Sequence, residues 1–288
     1  MNPNRSRPRA RPPVALLDYG VGNLHSAAKA LDRAGAEVRT VPTVAAAEAA
    51  GAWAMVVPGV GAYRACLEGL GRAGGAAAVA AWIDAGRPLL GICVGMQLLF
   101  EASEEGPVGD GIGALAGTVR RLGGFGGHGP AAGSTEAVSQ RGRGAPRWVG
   151  GPVKVPHIGW DEVTVQPGGS GGTVPRPEGV RADSTAAAGP PDGSRSRLFA
   201  GIADGARFYF VHSYAPEASG AAVAAVCDYG SPFAAAVERG NLFGTQFHPE
   251  KSSAAGHALL SNFVALVAEW GAGDQEPEGA RGAVRGIS

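Results

Sequence analysis

Cysteine is scarce: only Cys66, Cys93 and Cys227 occur in 288 residues, and no two of them stand at a metal-ligand spacing. That leaves neither a disulfide framework nor a cysteine-held metal, so no metal is expected, and the count suits a reducing cytoplasm. Net charge is missing too, because 25 Lys and Arg balance 25 Asp and Glu. Such a balance creates no field for nucleic acid or an anionic membrane, so a macromolecular partner is expected to be protein. No uninterrupted apolar run reaches the ~20 residues that cross a bilayer. The N-terminal MNPNRSRPRARPP carries arginines with no apolar secretory segment after them.

Against this background one stretch stands out, RPLLGICVGMQLLFE from Arg87 to Glu101. An apolar strand-like run meets a cysteine bracketed by Gly91 and Gly95 and then takes on a helical pattern. A sharp strand-to-helix turn strains its central residue and leaves no room two residues before and after it, which is the geometry of a nucleophile elbow. Cys93 would sit at a helix N-terminus, where unpaired N–H groups favour the thiolate. Cys66, in a helical stretch, and Cys227, in AAVAAVCDYG, read as small buried hydrophobes.

The elbow needs a base. GTQFHPEKSS from Gly244 to Ser253 ends an apolar run in His248, Pro249 and Glu250. Side chains two apart share a face in extended chain, so Glu250 can orient one imidazole nitrogen of His248 while the other faces the thiol. The expected triad is Cys93 as nucleophile, His248 as proton shuttle and Glu250 as orienter.

GICVGMQ together with FHPE resembles the class I, triad-type glutamine amidotransferases. LDYGVGNLHS, VPGVGAY, VPHIGWDEV, FYFVHSY and FHPEKS, in order from about Val14 to about Trp270, narrow the resemblance to the glutaminase subunits of imidazole glycerol phosphate synthase. The resemblance implies an oxyanion hole built from backbone at Val60, Gly61 and Val94. It assigns glutamine binding to Gly59, Gln97, Ser213 and Tyr214. Backbone N–H groups aimed at the developing oxyanion are worth about 3 kcal/mol each, and glycines let them approach. A partner-facing mouth is expected at VPHIGW with Asn23, His157, Trp160 and Lys251.

Strand and helix alternate from Val14 through the elbow, with strands read at Val14 to Asp18, Val38 to Val41 and Ala54 to Val57 and a helix from Gly22 to Ala34. The expected fold is α/β, a mostly parallel central sheet flanked by helices with a smaller antiparallel extension, flavodoxin-like as in the amidotransferases. Shorter strands follow Gly111, and Leu259 to Trp270 closes the domain as a helix. One domain over 14–271 is expected. Tails at 1–13 and 272–288 and insertions at about 123–147 and about 167–197 are too rich in Gly, Pro, Ser and Arg to bury much surface.

The resemblance implies hydrolysis of L-glutamine to glutamate and ammonia through a thioester on Cys93, with no cofactor. Ammonia would pass to a (β/α)8-barrel cyclase subunit in a heterodimer that makes imidazole glycerol phosphate and aminoimidazole carboxamide ribonucleotide for histidine biosynthesis. Two alternatives stay open: service to another synthase, making aminodeoxychorismate, anthranilate or pyridoxal phosphate, and a catalytically silent regulatory subunit.

Overall fold

The computed structural model describes residues 11–106, 111–123, 153–166, 196–220 and 222–274. Both expected insertions and both tails lie almost wholly outside the described residues. Where they overlap, the chain is built into the fold: Pro13 opens the first strand, and Ser196 is fully buried.

The N-terminal half alternates as expected: β1 (Pro13–Leu17), α1 (Leu24–Arg33), β2 (Glu37–Val41), α2 (Val44–Ala49), β3 (Ala54–Gly59), α3 (Tyr63–Arg72), α4 (Gly75–Asp84), β4 (Leu89–Cys93) and α5 (Val94–Gln97). β3 and β4 are buried at every residue, which is why they read as unbroken apolar runs. α1 begins two residues later than expected because Gly20 and Gly22 adopt positive φ and hold the chain in a turn. Asn23 then caps the helix, its Oδ1 accepting from the Ser26 N–H, and Ala27 and Leu31 face the core.

The second half is mostly strand: β5 (Phe100–Ser103), β6 (Leu115–Arg121), β7 (His157–Val165), β8 (Ala206–His212), β9 (Tyr214–Pro216), β10 (Val223–Asp228), β11 (Pro232–Arg239) and β12 (Leu242–Thr245), closed by α6 (Ser253–Asp274). Nine strands form one sheet in the order β2-β1-β3-β4-β12-β11-β10-β7-β8. The first five run parallel and the rest pair antiparallel, so most of the antiparallel part continues the main sheet. A separate sheet holds β5, β6 and β9.

α1 packs beside α6, while α4 packs against α2 and α3. α6 starts six residues earlier than Leu259, in a run of small residues without apolar periodicity. Its Gly256 is needed there, since a Cβ would stand 2.0 Å from the Pro249 carbonyl oxygen. Among the described residues no helix is long and apolar enough to cross a membrane.

Candidate active site

Cys93 ends β4 with φ 55° and ψ −113°, left-handed backbone that a side chain adopts only at a cost of about 1–3 kcal/mol. The surrounding glycines show what the turn requires. A Cβ on Gly95 would meet the Val57 carbonyl oxygen at 1.9 Å, and one on Gly91 would meet the Gly95 oxygen at 2.7 Å. β3 lies parallel to β4 with Gly59 opposite Cys93, and a Cβ on Gly59 would meet the Gly95 nitrogen at 2.4 Å. Packing this close brings the PGVG backbone beside Cys93. The helix after Cys93 is a single turn, shorter than the sequence pattern suggests, so its dipole is small and the neighbouring side chains dominate the local electrostatics.

β12 lies on the other side of β4, with Thr245 opposite Ile92. The chain continues past it to His248, pinned from three directions. The His248 N–H donates to the Tyr209 carbonyl (2.9 Å), and Ser252 Oγ donates to the His248 carbonyl (2.6 Å) while accepting from the Tyr209 N–H (3.0 Å). Beneath it Phe247 stacks on Phe208, 4.1 Å between ring centroids. A 3-10 turn, Pro249–Lys251, then swings Glu250 back, and its Oε1 lies 2.8 Å from His248 Nδ1.

That contact sets the tautomer: the carboxylate accepts, so Nδ1 carries hydrogen. The other nitrogen, Nε2, is buried and is left to the Cys93 sulfur. Burial works against charge on His248, but the Cys93 sulfur and Glu250 outweigh it and raise its pKa to about 9. His248 is therefore an imidazolium beside the Cys93 sulfur at neutral pH.

A second set of polar groups reaches Cys93 from the opposite quarter. Gln97, 2% exposed, donates from Nε2 to the Tyr214 carbonyl (2.8 Å) and to Gln246 Oε1 (3.0 Å). Gln246 in turn donates to Cys93 Sγ at 3.6 Å. Gln97 Oε1 is buried and unpartnered, an acceptor suited to an ammonium group. Gln246 was missed in the sequence, although it stands two residues before His248, the spacing that revealed Glu250.

Cys227 is buried as expected. Cys66, also buried, does more than fill space: its thiol donates to the Val60 carbonyl at 3.5 Å, and burial pushes its pKa up to about 11. Tyr19 OH donates to the Pro58 carbonyl. Two side chains thus hold the PGVG strand by its carbonyls. Among the described residues no group of three or more His, Cys, Asp or Glu could hold a metal ion.

A cleft of about 440 Å³ opens onto the site, lined by Gly22, Asn23, Val60, Gly61, Val94 and His248, with Val211 and Lys251 at its edge. Among the described residues, Trp160 and Ile158 on β7 are the exposed large hydrophobics, at 44% and 60%. His157, expected at the same surface, is 1% exposed. It points inward because alternate residues of β7 face opposite sides. Another cleft, of about 390 Å³ and lined by Trp53, Arg87 and Trp270 among others, lies before β3 and β4 begin. That is the wrong end of a parallel sheet for chemistry.

A strained cysteine elbow with a His–Glu pair, on the parallel half of a mixed α/β sheet, defines a triad amidotransferase. The family model for class-I glutamine amidotransferase matches residues 15–267, and the chain belongs to that family. Imidazole glycerol phosphate synthase subunit HisH of Mycobacterium bovis is 43% identical over 87% of this chain and 96% of its own length. The same subunit of Deinococcus radiodurans is 41% identical over 88% and 94%. Within the amidotransferases, the chain belongs to the HisH subunits. The structure of PurLQS from Thermotoga maritima shares the fold, with a TM-score of 0.55 at 16% identity, covering 89% of this chain and 99% of that one.

Proposed function

We propose that the chain hydrolyses L-glutamine to glutamate and ammonia and hands the ammonia to the cyclase subunit of imidazole glycerol phosphate synthase, in histidine biosynthesis. The observation that carries the chemistry is the buried His248–Glu250 pair beside a strained Cys93. The Cys93 thiolate attacks the amide carbon, and charge on the amide oxygen is met by backbone N–H groups of Val94 and of the Val60–Gly61 segment. Collapse expels ammonia, which takes its proton from the His248 imidazolium, and leaves a γ-glutamyl thioester. Water then attacks the thioester, giving its proton to His248 and releasing glutamate with the thiolate restored. Gln97 Oε1 and the Ser213–Tyr214 segment hold the α-amino end of glutamine.

Ammonia released into water is protonated at neutral pH and is no longer a nucleophile. A docked acceptor removes that loss, and the acceptor is a (β/α)8-barrel cyclase that covers the cleft in a heterodimer. Trp160 and Ile158, with Asn23 and Lys251 at the cleft, form the docking rim. The test is glutamate release by the purified chain, alone and with the barrel cyclase and its nucleotide, with Cys93→Ala as control. Strong stimulation that vanishes in the variant is expected. Cys93-dependent activity indifferent to the cyclase would assign a different synthase, and no activity at all would leave a silent subunit.

A further inference from the structure

A second histidine pair is buried in the antiparallel half and plays no part in the thioester chemistry. His157 on β7 and His212 on β8 are direct partners across the ladder, and His157 Nδ1 lies 3.2 Å from His212 Nε2. The outer nitrogens are engaged too. His157 Nε2 is 2.6 Å from Asp161 Oδ2, and His212 Nδ1 is 2.9 Å from the Tyr214 carbonyl oxygen.

These three contacts need three protons. A carbonyl only accepts, so His212 Nδ1 must carry hydrogen; an ionised carboxylate only accepts, so His157 Nε2 must carry one as well. Two neutral imidazoles bring two protons, and both are then used. His157 Nδ1 and His212 Nε2 would face each other as two lone pairs, a repulsive contact in a buried site. The row closes only when a third proton enters.

We propose that Asp161, His157 and His212 form a proton-dependent clamp on the Tyr214 carbonyl and, through it, on the glutamine seat. The proposal rests on the reading that Gln97 and Tyr214 bind glutamine. Tyr214 O is the shared acceptor of His212 and Gln97, and Gln97 runs on through Gln246 to Cys93. With the third proton bound, His212 is committed to Tyr214. Without it, His212 relieves the repulsion by moving its hydrogen to Nε2, and the Tyr214 carbonyl loses a donor.

The surroundings decide where the proton sits. Phe210 and Tyr229 stack on His157, and Phe233 packs edge-on to His212. The Tyr229 hydroxyl donates away, to the Lys154 carbonyl. Burial first, with the charges of His157 and His248, pushes His212 down to about 3 against the Tyr214 carbonyl, which works the other way. Burial lowers His157 as well, but Asp161 works the other way. On β10, burial together with the carboxylates of Asp161 and Asp228, Asp161 first, keeps the Cys227 thiol protonated. The third proton therefore belongs to His157, and the clamp closes as pH falls below the ordinary histidine range.

Asp161→Asn gives a sharp test, because its amide N–H donates to His157 Nε2. His157 Nδ1–H then donates to His212 and His212 Nδ1–H to Tyr214, so all three contacts close with both rings neutral. Asp161→Ala removes both the charge and the acceptor, so His157 Nε2 need not carry hydrogen and the two remaining contacts close on the two protons of neutral rings. Imidazole nitrogen NMR of the full chain reads the tautomers directly, and KM for glutamine across pH reads the consequence. The expected result is a wild-type His212 that carries Nδ1–H at low pH and gives it up as pH rises, with KM rising roughly fivefold. Asp161→Asn should keep Nδ1–H and the low KM throughout, and Asp161→Ala should keep both as well, so that only the wild type changes with pH. Identical tautomers in all three proteins at every pH overturn the clamp. A tautomer change with KM flat in all three overturns its reach to the glutamine seat. Absent turnover with the expected tautomers would count against the amidotransferase reading and in favour of the clamp itself.

Discussion

Glu250 Oε1 lies 2.8 Å from His248 Nδ1, with both side chains at most 3% exposed. Glu250 is one of the groups that raise the His248 pKa to about 9, against the burial that lowers it. Replacing it by Gln keeps a hydrogen-bond partner but removes the charge, so the His248 pKa must fall. In the proposed mechanism the His248 imidazolium protonates the leaving ammonia, and it is lost as pH rises through that pKa. Wild-type kcat/KM for glutamine should therefore decline above about 9, and the decline in Glu250→Gln should move to lower pH, with a loss of about 10²-fold or more at neutral pH. Superimposable pH profiles would show that Glu250 does not act through His248.

The same shift bears on stability. His248 ionises near 6.5 when unfolded and near 9 when folded, so the folded state binds the proton more tightly. Its contribution is complete below pH 6.5 and is lost as pH rises through about 9. Thermal melts should show a lower Tm at pH 9.5 than at pH 6, and the difference should shrink in His248→Gln.

Strain at Cys93 is measurable without catalysis. With φ at 55°, the position favours glycine, so Cys93→Gly should be more stable than Cys93→Ala by about 1 kcal/mol in urea unfolding. Gly95→Ala goes the other way, since its Cβ would stand 1.9 Å from the Val57 oxygen. That variant should lose about 3 kcal/mol or fail to fold.

Gln97→Ala removes the acceptor proposed for the α-ammonium and a donor to Tyr214 O. Initial rates should show KM for glutamine raised about tenfold or more, with alkylation of Cys93 by iodoacetamide little changed. Equal losses in both assays would mean that Gln97 supports the elbow itself.

Trp160, 44% exposed on β7, is a docking anchor by the proposed function. Trp160→Ala should weaken cyclase binding by about 2 kcal/mol or more in titration calorimetry and leave the isolated chain's melting temperature almost unchanged. Unaltered affinity would move the interface elsewhere.

The residues of the proposed triad were legible because each part is local. Gly91, Cys93 and Gly95 announce one turn, and His248 and Glu250 stand two apart on one segment. Gln246 obeys the same spacing but carries no sign of its role, because only the parallel pairing of β12 with β4 brings it to Cys93. His157 shows the opposite failure. VPHIGW resembles a partner-facing motif as a whole, yet the side of the sheet each residue faces depends on register, and the register sends His157 inward to His212 while Ile158 and Trp160 are exposed.

By itself the sequence determined the tight cysteine turn, the His–Glu spacing beside it, the alternation that makes a parallel α/β sheet, and the family, since backbone strain, short spacings and apolar periodicity are all written over a few residues. The tertiary structure alone decided which carbonyls Tyr19 and Cys66 hold, how Gln97 and Gln246 reach Cys93, and that Asp161, His157, His212 and Tyr214 form one row. Those contacts join residues more than a hundred positions apart in the case of Gln97 with Tyr214 and with Gln246. Distances of that kind are set by strand order and pairing register, to which a local pattern is blind.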